Sequence, residues 1–288
     1  MSAQITLPRA PWPRLMPVLA LVVLGILYLV SVRSGWGQRL DEHAVLHHRY
    51  GRTRDADARV VHRLLSVASV MFAPVPLLRA RRDALARAAC VAAVLATVSA
   101  ELLRRALLAR PVLTGLDSLN GPSFPSGHAA AAMGIALAIA LVVPASRRLR
   151  LASLTLAIGV GAVTVYVPSH RVSDVVGGYL LALVWIGALA ARSSRPSLRI
   201  GGASYLAVVV VSVAVVLGGA VLGAHRAGLS LADFGRGFPP AIVVVASGAA
   251  LVALAFERAQ SSRLRPSVDR GVSAVSLQLG GEHGRSGS

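Results

Sequence analysis

The sequence contains no lysine, a single cysteine and only 12 acidic residues among its 288 positions. All 30 basic residues are arginine, so the formal net charge is +18. The lone Cys90 excludes an intramolecular disulfide and any metal site built from several cysteines. Charged residues account for 15% of the chain, whereas a typical soluble domain has about 25%. This shortage of charge argues against an ordinary soluble enzyme and against a disordered chain.

Long apolar runs take the place of the missing charged residues. Hydrophobic residues make up 55% of the sequence, and the mean hydropathy is +0.66. The runs long enough to cross a bilayer are residues 15–32, 60–78, 84–103, 127–144, 150–168, 174–191, 203–223 and 240–256. No strand or hairpin signal interrupts them, so we predict an all-α fold, a polytopic bundle of transmembrane helices. We expect Pro74 and Pro76 to kink the second helix, and Gly177 and Gly178 to allow close helix packing in the sixth.

The distribution of arginine predicts the orientation of these helices. If the N-terminus is cytoplasmic, the inner segments hold 17 arginines and four acidic residues, which gives a net charge of +13. The outer segments then hold 13 arginines and eight acidic residues, which gives a net charge of +5. Short inner loops rich in arginine are what the positive-inside rule expects. We therefore predict a multi-pass protein of the cell membrane, with a membrane domain over residues 1–257 and a disordered cytoplasmic tail over residues 258–288. The basic charge then reflects topology and membrane lipids, and no basic patch interleaved with aromatic residues indicates nucleic-acid binding.

Ionisable residues that the membrane prediction does not require lie at the ends of these runs. They form three clusters: Glu101, Arg104, Arg105 and Arg110; Ser123 to His128; and Ser169 to Asp174. The predicted topology places all three clusters at the outer face. Ionisable residues that converge in a membrane protein are functional candidates, so we predict one extracytoplasmic polar site there.

The chemistry of these residue types suits the transfer of a phosphoryl group. Guanidinium groups bind phosphate oxygens two at a time. Ser126 and Gly127 stand at a predicted helix start, where backbone amides and a hydroxyl can cradle an anion. His170 and Asp174 are four residues apart on one helix face, so the carboxylate can hold the imidazole in one tautomer and leave the other nitrogen as a nucleophile. His128 supplies a second imidazole, which can protonate a leaving oxygen.

Two of the clusters also carry recognisable motifs. Residues 125–128 read Pro-Ser-Gly-His, and His170 precedes Asp174 by four positions. With these motifs in this order on an all-helical membrane chain, the sequence resembles the type-2 phosphatidic acid phosphatase family, which is related in its site to vanadium-dependent haloperoxidases. The resemblance covers about residues 60–191. It implies a six-helix phosphatase core, which includes the first run, followed by two extra C-terminal spans.

The chain departs from the family's motifs at two points. The first family motif is a lysine, six residues and Arg-Pro, whereas here Arg104 is separated from Arg110 by five residues. One residue rotates a helical side chain by about 100°, so Arg110 is the better-placed ligand of the two. The third family motif begins with Ser-Arg, where this chain has Val163 and Thr164. We expect Arg171 to supply the missing charge.

The resemblance also implies a role for each residue of the site. His170 would attack phosphorus and form a phosphohistidine, Asp174 would orient His170, and His128 would protonate the departing alcohol. The implied phosphate-binding groups are Arg104, Arg110, Arg171, the Ser126 hydroxyl and the Gly127 amide. No cofactor and no metal is implied. The implied substrate is a lipid phosphate or diphosphate of the outer leaflet, with phosphatidic acid, phosphatidylglycerol phosphate and polyprenyl diphosphates as candidates.

Other interpretations stay open at the level of sequence. The same residues would serve a phosphotransferase that passes the group to another lipid, and a carrier or a catalytically degenerate protein would fit the altered motifs. His43 and His47 have the spacing of a helical metal pair, although a solvated amphipathic face is the simpler interpretation. Glu101 is expected to pair with Arg104 or Arg105 one turn away. The sequence predicts no particular oligomeric state.

The predicted orientation can be tested by cysteine labelling in intact cells. In a background that carries Cys90→Ala, a cysteine at Leu119 should react with an impermeant thiol reagent, because its loop is predicted to lie outside. A cysteine at Arg148, in a predicted inner loop, is the matched control and should react only after the membrane is permeabilised. Protection at position 119 together with labelling at position 148 would invert the topology.

Overall fold

A computed structural model describes seven ranges of the chain. These are residues 12–46, 63–64, 67–68, 70–115, 121–166, 169–193 and 231–261. Every regular element within them is a helix, and no strand occurs in these ranges. The predicted all-α class is therefore confirmed.

The structure describes eight α-helices in these ranges. They are α1 (Trp12–Ser31), α2 (Gly35–Leu46), α3 (Pro74–Ala80), α4 (Ala84–Leu102), α5 (Gly127–Val142), α6 (Arg147–Tyr166), α7 (Val172–Ala190) and α8 (Leu231–Ser261). A π-helical turn, Leu103–Leu107, continues α4.

Several of these helices are suited to a bilayer. Four stretches are long and apolar enough to span it: Arg14–Ser31, Ala84–Leu107, Arg147–Val165 and Val172–Ala190. α5 is equally apolar but has only 16 residues. The helices thus support a membrane protein. The predicted total of eight spans stays a prediction, because the run at 203–223 lies outside the described residues.

The limits of two helices differ from those that the sequence predicts. Residues 71–73 form a turn in which the amides of Met71 and Ala73 donate to the carbonyls of Ala68 and Val70, and regular helix α3 begins at Pro74, so the prolines interrupt the predicted second helix. Proline lacks an amide hydrogen and is tolerated in the first turn of a helix, which explains why a new helix begins at this point. α8 is longer than predicted and continues to Ser261, past the expected end of the membrane domain at residue 257. The predicted disordered tail falls mainly on residues 262–288, which lie outside the described residues.

α5 lies at the centre of the bundle. It packs against α4, α6 and α7, and nearly all of its residues are buried. α4 presents small residues to the interior at helical spacing: Ala86, Ala89, Ala93, Ala96 and Ala100. Small side chains allow helix backbones to approach closely, and a Cβ atom added to Gly134 of α5 would lie 3.3 Å from the Cα atom of Ala93.

A close backbone approach joins the starts of α5 and α7. The Ser126 amide donates a hydrogen bond to the Asp174 carbonyl at 2.8 Å. A Cβ atom on Gly178 would lie 2.5 Å from the Ser126 carbonyl oxygen and 2.9 Å from the Ala130 nitrogen. On Gly177 it would lie 2.6 Å from the ring of Phe124. The predicted close packing at this glycine pair is confirmed, and it places the two helix N-termini side by side.

Replacement of Gly178 by alanine should therefore separate α5 from α7. A methyl group would meet backbone atoms that cannot rotate away, so we expect a loss of about 1–3 kcal/mol in the free energy of unfolding and a lower melting temperature in detergent. Gly159→Ala on α6 is the matched control, because nothing lies within 4 Å of its added Cβ and alanine favours a helix by about 1 kcal/mol over glycine. Equal melting temperatures for the two variants would contradict this packing.

Candidate active site

A short loop carries His170 from the end of α6 to the start of α7. The amides of Ser169 and His170 donate to the Thr164 carbonyl at 3.2 and 3.1 Å, and the Ser169 hydroxyl donates to the same oxygen at 3.0 Å. Thr164 is completely buried, and its hydroxyl donates to the Gly161 carbonyl at 2.7 Å. The loop is thus anchored on the last turns of α6, which fixes the backbone of His170.

The imidazole of His170 is buried and held at its Nδ1 atom. Nδ1 lies 3.2 Å from the Ser123 carbonyl oxygen and 3.6 Å from Oδ2 of Asp174. A carbonyl oxygen can only accept a hydrogen bond, so Nδ1 carries the proton and Nε2 keeps its lone pair. The sequence assigned this orienting contact to Asp174 alone, whereas the structure adds the Ser123 carbonyl at shorter range.

His128, the second residue of α5, faces His170. The two imidazole ring centroids are 6.3 Å apart and the rings meet edge to face, at an interplanar angle of 64°. The predicted convergence of the two histidines is therefore present in the structure. Ser126 caps α5, since its buried hydroxyl oxygen accepts the Ala129 amide at 3.3 Å. Gly127 is the first residue of the helix.

Asp174 lies in the first turn of α7, completely buried. Its Oδ2 atom accepts the backbone amide of Arg171, the N-cap residue, at 2.7 Å. A carboxylate at this position satisfies an amide that has no partner within the helix and interacts favourably with the helix dipole. Asp174 thereby fixes both the start of α7 and the carboxylate beside His170.

Arg171 and Arg110 come together around one carboxylate of α2. The Nε atom of Arg171 donates to Oε1 of Glu42 at 2.7 Å, and its Nη1 atom donates to the Ser123 hydroxyl at 2.8 Å. Nη2 of Arg110 lies 3.5 Å from the same Glu42 oxygen. Both guanidinium groups are buried, so the carboxylate offsets two positive charges that water does not reach.

Asp41 extends this network to the start of α7. Its carboxylate accepts the Ser173 amide at 3.2 Å and the Ser173 hydroxyl, and it lies 3.9 Å from Nη1 of Arg110. Burial, together with the nearby charge of Asp174, raises the pKa of Asp41 to about 7. Burial and the charge of Arg171 lower the pKa of Arg110 below its usual value.

A second carboxylate site lies at the N-terminus of α5. Glu101 binds Arg104 at 2.6 Å and Arg105 at 2.9 Å, as the sequence predicts. Its other oxygen lies against Gly127, where an added Cβ would be only 2.8 Å away. The π-helical turn directs both arginines back towards Glu101. The arginine side chains differ in exposure, 27% for Arg104 and 74% for Arg105, so Arg104 is the more buried of the two predicted anchors.

The structure thus places the predicted residues in two adjacent groups. One contains His128, His170, Asp174, Arg110 and Arg171, and the other contains Arg104 with Glu101 beside Gly127. Sequence reasoning placed Ser123 in one of the three clusters without a role of its own, and it missed Asp41 and Glu42 as members of the site. Asp41 and Glu42 are acidic residues in a segment rich in arginine and histidine, and this difference in charge could have marked them as partners of the arginines.

Metal binding was a further interpretation of the sequence. Among the residues that the structure describes, no group of three or more His, Cys, Asp or Glu side chains could hold a metal ion. The pair of His43 and His47 stays a prediction, because His47 lies outside the described residues.

The raised pKa of Asp41 makes stability depend on pH. The folded protein binds this proton more tightly than the unfolded chain, whose carboxyl has a pKa near 3.8. The contribution of Asp41 to stability therefore falls as the pH rises from about 4 to about 7 and changes little above that. We expect Asp41→Asn to lose less melting temperature than the wild type between pH 5 and pH 8. Asp83→Asn at the start of α4 controls for the change in net charge, and parallel melting curves for wild type and Asp41→Asn would contradict the burial of this carboxylate.

Comparison with known protein families gives a match for part of the chain. Residues 62–197 match the family model of the PAP2 superfamily. No curated protein and no solved structure matches the chain. The matched segment includes both histidines and the three arginines of the site, but it excludes α1, α2 and α8. Members of this superfamily are phosphatases, which indicates activity on phosphate esters. The predicted resemblance to the type-2 phosphatidic acid phosphatase family is confirmed by this match to the PAP2 superfamily over residues 62–197.

Proposed function

We propose that the protein is an integral membrane phosphatase that hydrolyses lipid phosphates or diphosphates at the outer face of the cell membrane. The observation that carries this proposal is the edge-to-face contact of His128 and His170 beside the buried guanidinium groups of Arg110 and Arg171. Two imidazoles within reach of one phosphoryl group can act as nucleophile and as acid.

The reaction would proceed in two steps. Nε2 of His170 attacks phosphorus while the bond from phosphorus to the ester oxygen breaks, and His128 donates a proton to that oxygen. The product is a phosphohistidine and a lipid alcohol, or a lipid monophosphate where the substrate is a diphosphate. His128 then takes a proton from water, whose oxygen attacks phosphorus, and inorganic phosphate leaves His170. The proton on Nδ1, held by Ser123 and Asp174, supports this tautomer throughout.

Charge on the phosphoryl oxygens would be stabilised by donors that are fixed before the substrate arrives. Nη1 of Arg110 and Nε of Arg104 are buried and have no hydrogen-bond partner among the described residues. The start of α5, where the Gly127 amide points outward from the helix, adds a partial positive charge. Fixed donors of this kind are usually the largest contribution to catalysis of phosphoryl transfer.

An apolar cavity supports a lipid as the substrate. It has a volume of about 660 Å³ and lies between α1, α7 and α8. Its lining is almost entirely apolar, with Met16, Val176, Leu180 and Leu251 among its residues. The cavity and Asp174 share α7, although Val176 and Asp174 stand on different faces of that helix. The volume and apolar lining suit a hydrocarbon tail.

Replacement of either histidine should lower phosphatase activity, and the loss should be larger for His170 than for His128. With purified protein and a panel of phosphatidic acid, phosphatidylglycerol phosphate and polyprenyl diphosphate, we expect His170→Ala to reduce phosphate release to background, because no nucleophile remains. His128→Ala should lower kcat by about 10²- to 10⁴-fold, the usual contribution of a general acid. Arg87→Ala, at the opposite end of α4, is the control and should retain wild-type turnover.

The same assay separates the alternatives. Retained turnover in a correctly folded His170→Ala variant would end the nucleophile assignment. Activity should persist in excess chelator and be inhibited by vanadate, which resembles the five-coordinate transition state. A strict requirement for an added divalent metal would contradict the proposed metal-independent mechanism. If an acceptor alcohol converts most of the released phosphate into a new phosphate ester, the protein is a phosphotransferase that uses this site.

A further inference from the structure

We infer that Glu42 of α2 is a positioning residue, which holds the guanidinium groups of Arg171 and Arg110 in the orientation that binds the phosphoryl group. This inference rests on the proposed function. It assigns part of the phosphate-binding unit to a helix outside the segment that matches the PAP2 superfamily. Glu42 is only 1% exposed, and its Oε1 atom contacts both arginines.

The contacts of Arg171 define the plane of its guanidinium group. Nε donates to Glu42 at one edge and Nη1 donates to the Ser123 hydroxyl at another. A planar group that is fixed at two of its nitrogens cannot rotate about its side-chain axis. Ser123 also accepts from His170 through its carbonyl oxygen, so the guanidinium plane and the imidazole are set by the same residue.

Arg110 is held next to Arg171 although both are positively charged. The Glu42 oxygen lies 3.5 Å from Nη2 of Arg110 and offsets the repulsion between the two side chains. Nη1 of Arg110, by contrast, is buried with no hydrogen-bond partner among the described residues, and the Asp41 carboxylate lies 3.9 Å from it. Glu42 therefore binds one edge of each guanidinium and leaves Arg110 with a donor for a phosphoryl oxygen.

α2 is anchored to both segments that carry the arginines. The amide nitrogen of Gln38 donates to the Pro111 carbonyl at 2.6 Å and to the Val32 carbonyl at 2.7 Å, and its oxygen accepts the Leu113 amide at 3.1 Å. On the other side, Asp41 binds Ser173 at the start of α7. The carboxylate of Glu42 is thus fixed relative to the backbones of both arginines, as a positioning group requires.

The altered third motif explains why such a group is needed here. The chain has Thr164 where the resemblance expects an arginine, and the arginine found near His170 is Arg171. Its backbone is the N-cap of α7, a position that does not by itself direct a long side chain. Glu42 supplies the contact that directs it.

Vanadate affinity is the measurement that tests this role, because it reports phosphate binding without turnover. We expect Glu42→Gln and Glu42→Ala to weaken vanadate binding, measured by titration calorimetry in detergent, by about 10- to 100-fold, the value of a hydrogen bond to a charged group. Glu42→Gln keeps an acceptor beside Arg171 and should be the milder of the two. Arg39→Gln, an exposed charge on the same helix, is the matched control and should bind vanadate like the wild type.

A double variant separates positioning from a purely structural role. Because Glu42 acts through Arg171 and Arg110, addition of Glu42→Gln to Arg171→Ala should weaken vanadate binding clearly less than the same change does in the wild type, since only Arg110 is then left to position. The same addition should raise the melting temperature, since it neutralises a carboxylate that Arg171→Ala leaves without its main partner. Fully additive losses of affinity, or unchanged affinity in folded single variants, would overturn the inference.

Two further outcomes are informative. Tighter vanadate binding or a higher kcat/KM in the Glu42 variants would make Glu42 a competitor of the phosphate, and the inference would be wrong. If the wild type neither binds vanadate nor releases phosphate, and His170→Ala matches it, the proposed function fails and this inference with it. If the wild type binds vanadate and releases phosphate, and the Glu42 variants match it in both measurements, the proposed function stands and only the positioning role of Glu42 is rejected.

Discussion

The contact between the starts of α5 and α7 is the constraint on which the site depends. The hydrogen bond from the Ser126 amide to the Asp174 carbonyl and the fit of Gly178 against Ser126 leave no room for a side chain between the helices. Because His128 follows Ser126 by two residues and His170 precedes Asp174 by four, this single contact determines the distance between the imidazoles. The loop anchored on Thr164 then needs only to orient His170.

Arginine at the edge of a membrane imposes a second requirement. A buried guanidinium costs free energy unless a carboxylate and hydrogen bonds offset its desolvation. Asp41 and Glu42 meet this requirement for Arg110 and Arg171, and Glu101 meets it for Arg104. These carboxylates therefore offset much of the positive charge of the arginines. Its donors are set in place by carboxylates that lie behind them, and a phosphoryl group would complete the coordination of the arginines.

Local patterns in the sequence predicted the parts of this arrangement that depend on neighbouring residues. Apolar runs predicted helices, and Gly177-Gly178 predicted close packing. The spacing of His170 and Asp174 predicted that the two side chains lie close together, but they do not share a helix face, because His170 lies in the loop before the N-cap residue Arg171. The partners of Arg110 and Arg171 were not predictable in this way, because Glu42 lies 129 residues from Arg171 in the chain. Nothing local distinguishes an acidic residue that pairs across the bundle from one that faces solvent. The rule that buried arginines need carboxylates does restrict the candidates, since the sequence holds only 12 acidic residues.

The replacement of the expected Ser-Arg by Val163 and Thr164 shows how the bundle accommodates an altered motif. Thr164 keeps a structural task, because its carbonyl accepts both Ser169 and His170 and its hydroxyl binds within α6. The arginine found near His170 is Arg171, seven residues after Thr164 in the chain. Arg171 donates hydrogen bonds to Glu42 and to Ser123. We therefore infer that the altered motif in α6 and the acidic residue on α2 belong together, because an arginine at position 171 needs a carboxylate in this place.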